Sequence, residues 1–123
     1  MITYADAQRR AKESLNGFPQ EVVSSYLAFA EKGDPDDSDI VVLGVLRFYL
    51  VKKPGEPLAS LPGDTKLVAD LGCDSLTMMD TVFMVESLFD VKLDDGELPA
   101  IQTLDDLRNY VRSLNGREAA RAS

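Results

Sequence analysis

Ser75 is the side chain in this 123-residue sequence best placed to do chemistry. It stands in the run Asp70-Leu71-Gly72-Cys73-Asp74-Ser75-Leu76, where a loop becomes a helix. Pro54, Gly55, Pro57, Pro62 and Gly63 break the chain before it. After it, Leu76, Met79, Val82, Phe83, Val85 and Leu88 recur at roughly helical spacing, as one face of an amphipathic helix would. The hydroxyl is therefore expected to be exposed at a helix N-terminus. Orphan N–H groups and the positive end of the helix dipole favour an anion there. A serine so placed suits carrying a phosphodiester better than attacking a substrate.

Nucleophilic catalysis fails on the rest of the composition. A serine needs an adjacent base to attack at neutral pH, usually histidine, and the chain has none. Lys66 and Lys92 are the nearest substitutes, and nothing local would depress their pKa. Cys73 also interrupts the superficial likeness to a Gly-Asp-Ser-Leu hydrolase block. From the heptapeptide alone, a plain N-cap role for Ser75 stays open. Cys73 is the only cysteine, so no internal disulfide and no Cys/His metal site are expected.

The elements that must position Ser75 read as helices throughout. Thr3 with Asp6 opens a helix to about Leu15, and Asn16-Gly17 ends it. Pro19 suits the first turn of a second helix striped by Val22, Val23, Tyr26, Leu27 and Ala30, which Gly33-Asp34-Pro35 closes. Asp37 or Ser38 caps a third, whose run from Ile40 to Leu50 is apolar almost all round, as a central core helix should be. Gly44 within it offers a close approach to a neighbour. The segment from Lys52 to Gly72 is long for a connection, with Leu58, Leu61, Leu67, Val68 and Leu71 to pin it down. The Ser75 helix runs to about Phe89, and Asp94 to Pro99 holds one short turn. Thr103 with Asp106 caps a last helix that Gly116 ends. Sustained period-two alternation is nowhere present, so the expected class is all-α.

Length allows one domain with a modest core. The N-terminus has no basic region leading into an apolar one, so a cytoplasmic protein is expected. The longest apolar run, Ile40 to Val51, contains Arg47 and is too short to span a bilayer. Net charge is −8, concentrated where Asp70, Asp74, Asp80, Glu86, Asp90, Asp94, Asp95, Glu97, Asp105 and Asp106 face only Lys92. Residues 1–33 are balanced by comparison. Such an acidic half disfavours nucleic acid and favours partners that present Arg and Lys, with salt-sensitive encounter.

The block Leu67-Val68-Ala69-Asp70-Leu71-Gly72-Cys73-Asp74-Ser75-Leu76 resembles the phosphopantetheine attachment block of acyl carrier proteins. The likeness continues through Asp80, Val82, Glu86, Leu88, Phe89-Asp90-Val91 and Leu93. It then reaches Ile101-Gln102-Thr103-Leu104-Asp105-Asp106-Leu107, similar to the lead-in to that family's last helix. The resemblance implies a four-helix bundle, three main helices and one short, with a long loop before the Ser75 helix. It covers roughly residues 36–115, after two N-terminal helices in 1–35 and before a disordered tail at 116–123.

A carrier rather than an enzyme is what the resemblance implies. A phosphopantetheinyl transferase would move a 4′-phosphopantetheine arm from coenzyme A onto Ser75, between Asp74 and Leu76. Acyl groups would then ride the arm's thiol as thioesters for fatty-acid, polyketide or lipid-modification enzymes. Asp74, Met79, Asp80, Phe83 and Glu86 are the expected docking residues for basic patches on partners, and a monomer is expected. Met78, Met79, Phe83 and Met84 cannot all point inward, so a soft edge beside the serine is expected to line an acyl cavity or meet varied partners. Thr77 and Ser87 stand where the family commonly has acids, which makes this docking face less negative. Asp74 before the serine also separates the chain from peptidyl carriers, which more often have histidine. Cys73 takes a place where a small residue is usual, and an exposed thiol there would form adventitious dimers. A pseudo-carrier that keeps the fold but never takes the arm is the competing function. The N-terminal helices are expected to pack on the carrier and enlarge its core.

Overall fold

A computed structural model describes residues 3–122, with the side chains of residues 95 and 117–122 outside the description. Five α-helices follow one another: α1 Tyr4–Ser14, α2 Gln20–Lys32, α3 Pro35–Tyr49, α4 Ser75–Phe89 and α5 Leu104–Ala122. Two 3₁₀ turns, Leu58–Ser60 and Asp95–Ala100, complete the order. The only β pairing among the described residues is one isolated bridge between Lys66 and Thr103. The all-α expectation and the bundle stand.

Local chemistry explains most of the boundaries. Thr3 Oγ1 accepts from Asp6 N at 3.1 Å and starts α1. At the start of α5, Asp106 N donates to Thr103 Oγ1 and Thr103 N donates to Asp106 Oδ2, both at 3.1 Å, a reciprocal capping box. Two starts differ from expectation. Pro19 is the residue before α2, not part of its first turn. The third helix opens earlier than Asp37 or Ser38: Asp34 caps it, accepting from Asp36 N at 3.0 Å, and Pro35 takes the first helical position. Gly33, at φ +73°, ends α2 in the left-handed region, so Gly33-Asp34-Pro35 stops one helix and starts the next. Ser38 instead lies buried and donates to Pro35 O at 2.8 Å. Nor does Gly116 end α5, which continues to Ala122. A single glycine costs a helix about 1 kcal/mol, too little to force a stop. Of the expected disordered tail, Ser123 lies outside the described residues.

The centre of the core is α3. Val41, Val42, Val45 and Leu46 are fully buried on it, each worth roughly 1.5–3 kcal/mol of apolar transfer. Helix α2 packs along it, and a Cβ at Gly44 would overlap Val22 Cγ2, so the glycine is what sets their separation. The N-terminal hairpin also reaches α4. Tyr26 OH, buried, donates to Leu88 O, and Arg10 Nη1 donates to Ser87 O at 2.6 Å. Tyr26 and Phe29 each meet Phe89 edge to face. Both side-chain donors serve last-turn carbonyls that a helix leaves unpaired.

The segment between α3 and α4 is tied down along its length. Leu58, Leu67 and Leu71 are buried and Leu61 half-buried, but Val68 is 74 % exposed and anchors nothing. Its backbone zips onto the start of α5: Leu67 N donates to Gln102 O, Leu104 N to Thr65 O and Asp105 N to Gly63 O. This pairing fixes the loop that delivers Ser75.

Candidate functional site

Ser75 is the first residue of α4 and is exposed. Asp74, also exposed, caps the helix in an extended conformation, its Oδ1 accepting from Thr77 N at 2.8 Å. That bond holds the Asp74 carboxyl below the usual carboxylate range. Just upstream, Cys73 N donates to Leu67 O at 2.9 Å, folding the loop before α4 back on itself. Capping therefore falls to Asp74, and the Ser75 hydroxyl is left to solvent.

Cys73 departs from expectation. It is 2 % exposed, and burial pushes its thiol up from the ordinary value, so it is not the open thiol that would form adventitious dimers. The loop turns it inward because its backbone is fixed by Leu67, a tertiary contact that its sequence neighbours do not reveal. Thr77 is similarly inward, 3 % exposed, with Oγ1 donating to Tyr49 O at 3.4 Å. The missing acid at that position therefore takes nothing from the outer face of this protein.

The residues expected to dock partners divide into two groups. Leu76, Met79 and Phe83 are 68 %, 66 % and 75 % exposed, one above another on the outer face of α4. Asp80 is exposed beside them and, with burial, raises the pKa of Tyr49. Glu86 is half-buried, and its Oε2 accepts from Leu93 N at 2.9 Å, so one carboxylate oxygen already serves the loop after α4.

A cleft of about 620 Å³ opens beside Ser75. Met78, Met79, Leu98, Pro99 and Ile101 form its apolar wall, with Val68 and Lys66 on the loop side. Its volume lies in the ordinary range for small-molecule sites. The exposed hydroxyl, the helix N-terminus and an adjoining apolar cleft together fit a phosphodiester-linked arm. Ser75 would be the bond to it and the cleft walls its rest. The sequence missed Val68 and Lys66 as cleft residues, because their part depends on the Gln102 and Thr103 pairing.

A sequence model of the phosphopantetheine attachment site matches residues 44–111, more than half the chain. The chain belongs to the acyl carrier protein family. It is 33 % identical over 75 residues to the acyl carrier protein of Thermotoga maritima, covering 61 % of this chain and 93 % of that one. Acyl carrier protein 3 of Ralstonia nicotianae is 30 % identical over 86 residues, 70 % of this chain and 99 % of its own length. The acyl carrier protein of Akkermansia muciniphila is 29 % identical over 79 residues, 64 % and 99 % of the two chains. No solved structure matches. Family membership makes this protein a carrier, not an enzyme, with a covalently bound 4′-phosphopantetheine as its prosthetic group.

Proposed function

We propose that Ser75 Oγ is the attachment point of the arm. A separate transferase would join Ser75 Oγ to the phosphorus nearest the pantetheine of coenzyme A. The pyrophosphate bond breaks, adenosine 3′,5′-bisphosphate leaves, and the serine proton passes to the transferase. The arm's thiol then carries acyl groups as thioesters, with the effective concentration that a tether supplies at each enzyme. The observation that carries this reading is Ser75, exposed at the first position of α4 and open to the apolar cleft, while Asp74 does the capping.

The cargo belongs to fatty-acid, polyketide or lipid-modification biosynthesis, in a pathway whose enzymes accept a carrier with an added N-terminal hairpin. Residues 36–115 form the carrier and residues 1–35 an extension packed on it. Asp74, Leu76, Met79, Asp80, Phe83 and Glu86 run from the attachment point along α4 as the docking face. The partners are the transferase and acyl-loading, condensing and acyltransferase enzymes with basic surfaces near their entrances. A monomer acting in the cytoplasm agrees with the net charge of −8 and with the absence, among the described residues, of a helix long and apolar enough to cross a membrane.

Intact mass after incubation with coenzyme A and a broad-specificity phosphopantetheinyl transferase tests the assignment. Wild type and Cys73→Ala gain one phosphopantetheine mass, and Ser75→Ala gains none. Failure of wild type with several transferases would overturn the reading and leave the pseudo-carrier.

A further inference from the structure

We propose that Lys66 pairs with an anionic group on the tethered arm in the cleft beside Ser75. The inference rests on Ser75 bearing the arm. Among the described residues Lys66 is the only cationic side chain lining that cleft, and Asp74 is the only anionic one. Asp74 is already engaged, through Oδ1, with Thr77 N. Among the described residues Lys66 takes part in no ion pair, although the chain carries 21 acids against 13 bases.

The lysine's backbone is held firmly for an exposed residue. Lys66 N donates to Asp70 Oδ2 at 2.8 Å, and Lys66 O accepts from Asp70 N and Leu71 N at 3.0 and 3.2 Å. An antiparallel bridge to Thr103 fixes its other side. The side chain therefore leaves from a fixed root. That root sits at the edge of a mostly apolar cleft, whose polar lining besides Lys66 is Asp74, Ser75 and Gln102.

Two anions on an arm at Ser75 are the partners this placement offers. One is the arm's own phosphodiester. The other is a free carboxylate at the end of a dicarboxylic acyl group, which a neutral acyl group of like length lacks. Pairing with the carboxylate gives the cleft a preference among acyl groups that its Met, Leu, Pro and Ile walls cannot supply; pairing with the phosphodiester, common to every arm, instead fixes how the arm leaves Ser75.

Malonyl- and butyryl-coenzyme A, the former labelled with ¹³C at its free carboxyl, would be loaded by the transferase onto wild type, Lys66→Met and Lys66→Arg. Intact mass first verifies one arm per chain; a chain that takes up none overturns the Ser75 assignment and this inference with it. With the carboxylate as partner, the ¹³C titration midpoint in wild type lies about 0.2–0.7 pH units below that in Lys66→Met, and Lys66→Arg restores it. With the phosphodiester as partner, the ³¹P resonance differs between wild type and Lys66→Met for both loads, and Lys66→Arg restores that instead. Three correctly loaded proteins with the same carboxyl midpoint and the same phosphorus resonance would show Lys66 to be an ordinary solvated lysine.

Discussion

Asp74 and Ser75 divide one helix start between two tasks, and neither residue can do both. The Asp74 carboxylate fills the cap, with Oδ1 2.8 Å from Thr77 N, so the serine hydroxyl is not taken up by capping. Replacing Asp74 by alanine leaves Thr77 N without its acceptor and should lower Tm by about 2–6 °C. The pH dependence follows from the lowered carboxyl pKa. The contribution is present above the unfolded value of about 3.9 and is lost as pH falls through the lower folded value. The Tm gap between wild type and Asp74→Ala should therefore be full at pH 7 and close below about pH 4, as thermal melts across that range would show. An unchanged gap at acid pH would mean that the carboxylate's charge takes no part. The helix start was legible because turn and capping signals are local, but the division of labour was not: Ser75 was itself the open cap candidate, and the structure gives the cap to Asp74. Cys73 and Val68 were misjudged because burial there is decided by Leu67 and Gln102, one distant in sequence. Asp34 was misread for a different reason, since Gly-Asp-Pro carries a stop signal and a start signal in three residues.

At the scale of elements, the N-terminal hairpin is joined to α4 by specific bonds as well as by apolar contact. The apolar stripe of α2 was plain in the sequence, and so was the small residue at Gly44 that Val22 meets. What the stripe could not reveal is that Tyr26 turns its hydroxyl to Leu88 O at the end of α4, 62 residues away. Tyr26→Phe removes that donor and leaves a buried carbonyl unpaired, a loss of about 1–2 kcal/mol and roughly 3–8 °C in Tm. Burial raises the phenol pKa to about 12, from its usual 10. A raised value means the native state holds its proton longer than the unfolded chain does. The stabilisation is complete below pH 10 and is lost as pH climbs towards 12. Denaturant melts should thus fall more steeply with pH for wild type than for Tyr26→Phe in that window. Tyr49 and Tyr110 also have raised values, but they are common to both proteins and cancel in the difference. Equal slopes would place Tyr26 in a site where its proton is as labile as in the unfolded chain.

Over the whole molecule, charge and apolar surface act at different stages of an encounter. The net charge of −8 sets a long-range field that draws basic partners and is screened by salt. The outer face of α4 is another matter: along its whole length the helix has only Asp80 and Glu86 as acids and no base, and Glu86 is partly spent on Leu93 N. Leu76, Met79 and Phe83 are the large apolar side chains exposed there. An interface with an apolar centre and a charged surround forms at a salt-dependent rate and breaks at a rate governed by the burial. For Ser75→Ala binding a phosphopantetheinyl transferase, raising salt from about 50 to about 300 mM should slow association several-fold and change dissociation by less than about twofold. Phe83→Ala should do the reverse, speeding dissociation about tenfold, with stability within about 0.5 kcal/mol of the parent because the ring is already in solvent. Surface plasmon resonance at several salt concentrations separates the two rates. If salt acts mainly on dissociation and Phe83→Ala on neither rate, the α4 face is not where the transferase docks, and the acids around Asp94, Asp105 and Asp106 become the next surface to probe.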